Sequence, residues 1–246
     1  MTSMRFGQVG DIAPLAGKKT GVRWGRMLVV LLLVAALLAA LWYWWSQREP
    51  DDLTNSYLDG PRGLGCERVV IASDDSGSMS DFFEAREQAL SQVLAWAPDN
   101  LRPDDELAAV GFSGHTYTHV PPTQIADPIN RGNRQPPSDG TSLSELLRTV
   151  AGMPRTPCST SVVLLSDGKF HDLPGTADAA RNQLRESGID EVYLLVPGEG
   201  IEIEGKWSQL YPYATPVIFE GTDADATALV FGHTFADITG QQLRAR

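Results

Sequence analysis

The stretch Ser73–Ser80, SDDSGSMS, sets two carboxylates and four serine hydroxyls around one glycine, directly after the apolar run RVVIA. Oxygen donors at that density suit a hard cation, since Mg²⁺ takes six oxygens in near-octahedral array and keeps several waters among them. Two more stretches offer the same chemistry. DGTS, Asp139 to Ser142, precedes a helical pattern, and LLSDG, which contains Asp167, closes an apolar run. Each by itself reads as a turn or a helix cap, the usual work of Ser, Asp and Gly after a strand. It is the three together that point to a metal. Asp75 is expected as a solvated neighbour whose charge tightens cation binding slightly. His115 and His119 flank TYT as a candidate Zn²⁺ pair, but no third ligand accompanies them. His171, just after Asp167, is expected to be exposed near the mouth of the site.

Such a site needs a scaffold that gathers three loops. From Arg68 onward, apolar runs alternate with amphipathic segments. RVVIAS, ELAAVGFS, TSVVLLSDG, EVYLLVPG and TPVIFEG read as strands rich in β-branched residues, and THVPPTQ as a proline-limited edge strand. DFFEAREQALSQVLAWAP reads as a helix ending at its proline. SLSELLRTVAGM opens on a capping box of Ser142 and Glu145. TADAARNQLRESG stops at Gly188. DADATALVFGHTFADITGQQL reads as a closing helix broken near Gly232. Apolar strands separated by helices imply a mostly parallel sheet covered on both faces. Ligands of such sheets sit outside the carboxyl ends of the strands, where the strand order reverses.

These motifs, in this strand context, resemble the von Willebrand factor A (VWA) domain and its metal-ion-dependent adhesion site. The family pattern D-x-S-x-S matches Asp74, Ser76 and Ser78. Its single threonine matches Thr141, and its second aspartate, at the end of the fourth strand, matches Asp167. The resemblance covers roughly residues 66–243. It implies a doubly wound, Rossmann-like α/β fold with Mg²⁺ or Mn²⁺ bound through those five residues. Ser76 and Ser78 would ligate directly, Thr141 directly or through water, and the two aspartates mainly through water. The ion then keeps Lewis acidity for an outside carboxylate on a partner protein or other acidic ligand. Gly77, Gly140 and Gly168 are expected to let the loops turn beside it. The resemblance also implies a disulfide. It places Asp74 and Asp167 at the carboxyl ends of neighbouring strands, with Cys66 eight residues before the first and Cys158 nine before the second. Counting back, both cysteines reach the opposite end of those strands, about 4.8 Å apart and within disulfide range.

The rest of the chain suggests a membrane protein. Residues 27–45, MLVVLLLVAALLAALWYWW, carry no charge. As a helix they span about 28 Å, close to a bilayer's hydrocarbon core, and end in an aromatic belt. Arg5, Lys18, Lys19, Arg23 and Arg26 precede them against Asp11 alone, a net of about +4; set against the chain's −11, this leaves about −15 for the remainder. The expected organisation is a basic cytoplasmic tail over 1–26, a transmembrane helix over 27–45, a linker over 46–65 and a VWA domain over 66–243. The domain would lie outside the cell membrane, on the positive-inside tendency. So acidic a chain is not expected to bind nucleic acid. Turnover is not expected either, since H-E-x-x-H, G-x-S-x-G and Walker patterns are all missing. The alternatives are an accessory subunit of a MoxR-type ATPase, which the outward topology disfavours, and a metal-dependent hydrolase.

Overall fold

The computed structural model describes residues 21–46, 50–132, 140–198, 200–201, 203 and 205–246. The chain divides into two compact units, Met1–Gln47 and Arg48–Arg246. The first contains helix α1, Gly21–Ser46. Its described side chains run from Met27 to Trp42. Among the described residues no helix is long and apolar enough to cross a membrane.

The second unit runs β1 (Ser56–Asp59), β2 (Glu67–Asp74), a 3₁₀ turn (Gly77–Phe82), α2 (Phe83–Asn100), β3 (Glu106–Phe112), β4 (Thr116–Gln124), α3 (Leu143–Ala151) and β5 (Ser159–Leu165). It continues through α4 (Ala177–Glu186), β6 (Glu191–Pro197), α5 (Lys206–Leu210), β7 (Val217–Phe219), α6 (Ala224–Thr239) and β8 (Gln242–Ala245). A six-stranded sheet has the order β4-β3-β2-β5-β6-β7. All its neighbours are parallel except the edge pair β3 and β4. Because side chains alternate across a strand, Val69, Ile71, Val163 and Leu165 pack on one face with Leu90, Val93, Phe231 and Phe235 of α2 and α6. Val70, Ala72, Val162 and Leu164 pack on the other with Leu146 and Leu147 of α3, Leu184 of α4 and Trp207. Burial on both faces is why these strands read as unbroken apolar runs. From β2 the chain moves to β3 on one side, while β5 adds on the other side and leads to β6. The order therefore reverses between β2 and β5, and the crevice beyond their carboxyl ends is the place for a ligand.

Several details differ from the sequence reading. Helix α2 carries Pro98 in its last turn and ends at Asn100. Its missing N–H costs the helix one ladder bond, to the Leu94 carbonyl, and the helix ends two residues later. Helix α6 runs unbroken through Gly232, where a Cβ would lie 2.5 Å from Leu53 Cδ1. Most of the stretch expected as linker belongs to the second unit. Leu53 is fully buried, β1 pairs antiparallel with β8 from Ser56↔Ala245 to Asp59↔Gln242, and the Trp96 indole N–H donates to the Ser56 carbonyl at 3.1 Å. Neither short strand has an apolar run long enough to announce itself. Each exists because its partner stands at the far end of the domain sequence.

Cys66 and Cys158 form a disulfide, with Cα atoms 4.6 Å apart. They sit one residue before the registered pair Glu67↔Ser159, at the end of β2 and β5 opposite the crevice. The one-residue mismatch in the count arises at the other end. Register runs Ser73↔Leu165, so Ser166 lies opposite Asp74 and Asp167 lies one residue beyond.

Candidate metal centre

Asp74, the last residue of β2, is fully buried with both carboxylate oxygens engaged. The Ser76 backbone N–H donates to Oδ1 at 2.9 Å and the Ser166 hydroxyl to Oδ2 at 2.6 Å. The first bond folds the loop over the strand end, and the second ties it to the loop after β5. Burial raises the Asp74 carboxyl above its ordinary range, and the charge of Asp167 adds to this; the bonds from Ser166 and Ser76 act the other way.

In front of Asp74 the Oγ atoms of Ser76 and Ser78 stand 3.1 Å apart. Ser76 is nearly buried and Ser78 exposed, so the pair spans the boundary between protein and solvent. The turn holding them is anchored by buried Met79, whose N–H donates to the Ser76 carbonyl at 3.0 Å. An octahedral ion with ligands at about 2.0–2.1 Å has neighbouring ligands about 2.9 Å apart, whereas Ca²⁺ distances of about 2.3–2.6 Å give about 3.3–3.7 Å at right angles. At 3.1 Å the serine pair falls between the two edges, so the spacing suits an oxygen-bound divalent cation without choosing between them.

Thr141 is buried just before α3. Its carbonyl accepts the His171 N–H at 3.3 Å, and the next N–H, of Ser142, donates to the Ser113 carbonyl at 3.1 Å. Asp172 secures the same turn. It accepts from the Ser142 hydroxyl and Leu143 N–H at 2.8 Å each, and from the Ser144 N–H at 2.9 Å. Burial alone would raise the Asp172 carboxyl, but the donors of Ser144, Ser142 and Leu143 hold it below its ordinary range. Half of the expected capping box is present. Ser142 Oγ accepts from the Glu145 N–H at 3.2 Å, while the Glu145 carboxylate pairs with Arg148.

Asp167 is buried after β5. The Lys169 N–H donates to its Oδ1 and the Lys169 ammonium to its Oδ2, each at 3.1 Å. The loops bearing Asp74, Ser76, Ser78, Thr141 and Asp167 are thus stitched together at one end of the sheet. Asp74–Ser166 joins the first loop to the third, and Thr141–His171 and Ser142–Asp172 join the second to the third. Gly140 and Gly168 adopt the positive φ values, 87° and 75°, that these turns require, whereas Gly77 does not. Asp139 lies outside the described residues.

The expectation for Asp75 is corrected. It is 2% exposed, and Oδ1 accepts from Arg86 Nη2 at 2.5 Å and Oδ2 from the Tyr117 hydroxyl at 2.7 Å. Arg86 also donates through Nη1 to the Asp74 carbonyl at 2.6 Å, and its guanidinium lies 4.5 Å from the centre of the Phe83 ring. Asp75 is neutralised within the protein and acts as a clamp behind the loop that carries Ser76 and Ser78. A Cβ on Gly111 would lie 2.3 Å from the Tyr117 ring, so only glycine admits the tyrosine across β3. The sequence did contain a signal for this clamp. Phe83, Arg86, Leu90 and Val93 share one helical face, and a cation within an apolar stripe requires a buried partner. Ser166, Asp172 and Lys169 carried no such periodic mark. His119 Nε2 lies 2.9 Å from Arg131 Nη2, a poor setting for a zinc ligand. His171 is exposed, as expected. Among the described residues no group of three or more His, Cys, Asp or Glu could hold a metal.

No family model and no curated protein matches the chain. Solved structures do. A von Willebrand factor type A protein from Catenulispora acidiphila aligns with a TM-score of 0.51 at 21% identity, over 78% of this chain and 49% of that one. The pilus adhesin SpaC of Lactobacillus rhamnosus GG, in an open conformation, aligns at 0.50 and 13% identity, over 78% and 33%. Proximal thread matrix protein 1 of the mussel byssus, with a zinc-occupied MIDAS motif, aligns at 0.48 and 16% identity, over 68% and 46%. The chain spans half or less of the length of each. The likeness is one of fold: this chain has the von Willebrand factor A architecture.

Proposed function

We propose that the Arg48–Arg246 unit is a binding module that holds one divalent cation, Mg²⁺ or Mn²⁺, and through it grips a carboxylate on a partner protein or other acidic ligand. Ser76, Ser78 and Thr141 supply hydroxyl ligands, and Asp74 and Asp167 stand behind them as carboxylates that act through water. The observation that carries this reading is the serine hydroxyl pair, 3.1 Å apart, in front of a buried carboxylate whose two oxygens are already bound. With neutral donors in direct contact and both carboxylates held back behind water, the ion keeps Lewis acidity at its open position, and that is what recruits an outside carboxylate. The same donor set favours binding over turnover. A hydrolytic site needs a base free to take a proton from water, and both Asp74 and Asp167 are tied by hydrogen bonds.

The reading extends to location. Residues 27–45 are uncharged and follow a basic tail, which supports a single-pass anchor with a cytoplasmic N-terminus and an extracytoplasmic domain. The Cys66–Cys158 disulfide favours an oxidising compartment, and so weighs against the role beside a MoxR-type ATPase, whose site of action is cytoplasmic.

Calorimetric titration of Mn²⁺ into the chain tests the site. One ion should bind, and Thr141→Ala and Asp74→Ala should each abolish the heat. Equal binding by both variants would refute the assignment. Protease digestion of spheroplasts tests the location, because a domain protected until lysis would reverse the topology.

A further inference from the structure

Lys169 stands where the metal reading leaves least room for a cation. Its ammonium lies 3.1 Å from Asp167 Oδ2, on a side chain 57% exposed against 3% for the aspartate. Its backbone N–H separately holds Asp167 Oδ1. We infer that Lys169 is a built-in counter-ion that competes with the divalent cation for Asp167 and thereby sets the ion affinity of the site.

Given the metal-binding reading above, charge places Lys169 in competition with the ion. Asp74 and Asp167 are both buried, and a buried carboxylate needs a positive partner or strong donors. Asp75 already has Arg86, so it neither requires nor repels a further cation. Asp74 has two uncharged donors, and Asp167 has the lysine. An ammonium and a divalent ion close to the same carboxylate repel each other, so the ion must displace the lysine to arrive. The four-carbon stem and exposed head allow that movement. Two carboxylates and a divalent cation then balance, and the displaced ammonium, still tethered two residues from Asp167, adds one positive charge beside the loaded site on a chain whose overall net charge is −11. Lys169 thus works in two senses. It lowers affinity for the ion, and it makes the loaded site locally attractive to an acidic group.

The test is Mn²⁺ calorimetry on the full chain in mild detergent at low salt, comparing wild type with Lys169→Gln and Lys169→Arg. The glutamine variant keeps the backbone bond to Oδ1 and removes only the competing charge. It should bind Mn²⁺ about two- to fivefold more tightly, the range that loss of an exposed ion pair allows. The arginine variant should match wild type, and the gap should close in molar salt, where charges on exposed groups are screened. A glutamine variant that binds Mn²⁺ no more tightly than wild type, or an arginine variant that tightens equally, overturns the inference while the metal site stands. A wild-type chain silent toward Mn²⁺ overturns both.

Discussion

Removing the Arg86 charge should unfold the metal loop's support at a predictable cost. Arg86 and Asp75 are each 2% exposed in their side chains. Arg86→Met keeps an apolar stem against Phe83 but leaves the Asp75 carboxylate buried with the Tyr117 hydroxyl as its remaining side-chain donor. Breaking a buried pair from one side costs about 3–5 kcal/mol, because the surviving charge has lost its compensation. In a domain of this size each kcal/mol moves the melting temperature by about 2–4 °C, so the fall should be about 6–20 °C. Arg86→Met with Asp75→Asn removes both charges. The Asp74 carbonyl loses its guanidinium donor in both variants, so the difference between them isolates the stranded charge. The double variant should recover about 1–3 kcal/mol, within the coupling expected of residues in contact. Thermal and urea unfolding followed by circular dichroism measures both. A single variant that loses less than about 1 kcal/mol, or a double variant no more stable than the single, would refute the claim that the pair is a closed, buried charge cluster.

The other predictions concern the remaining carboxylates and the disulfide. Asp74→Asn should fold and lose Mn²⁺ binding. Because burial, with Asp167 beside it, raises the Asp74 carboxyl, that group favours the folded state when protonated; its contribution is present at acid pH and lost as pH rises through its folded value. Without metal, melting temperatures across pH should therefore show the variant gaining on wild type toward neutral pH. Asp172→Ala should cost about 1–2 kcal/mol through the start of α3 and weaken Mn²⁺ binding through Thr141. The Asp172 carboxyl is held low, so its contribution should be present above about pH 3.9, the ordinary aspartate value, and vanish as pH falls through its lower folded value. Reduction of Cys66–Cys158, which closes a separation of 92 residues, should lower stability by about 4 kcal/mol or less and leave Mn²⁺ affinity unchanged. A large loss of affinity on reduction would show that the two ends of the sheet are coupled.

Much of this protein was legible before its structure. Strands such as RVVIA and SVVLL are buried on both faces, and that burial forces an apolar residue at every position, which a sequence displays directly. The resemblance to the VWA pattern named Asp74, Ser76, Ser78, Thr141 and Asp167 as a set, and the loops that bear them lie at one end of the sheet because parallel connectivity sends strand ends and helix starts there. The disulfide followed from the same two strands. What only the tertiary structure decided were the individual pairings. Asp75 looked solvated until Arg86 and Tyr117 were seen to close on it from α2 and β4. The residues around Ser56 looked like linker until β8 supplied the ladder that made them a strand. Lys169 drew no reading from the sequence, and the structure shows its ammonium 3.1 Å from a buried Asp167. Periodicity reports whether a residue meets an apolar layer, which is an average over many neighbours. A hydrogen bond or an ion pair depends on one partner at about 3 Å, and only the folded chain brings that partner there.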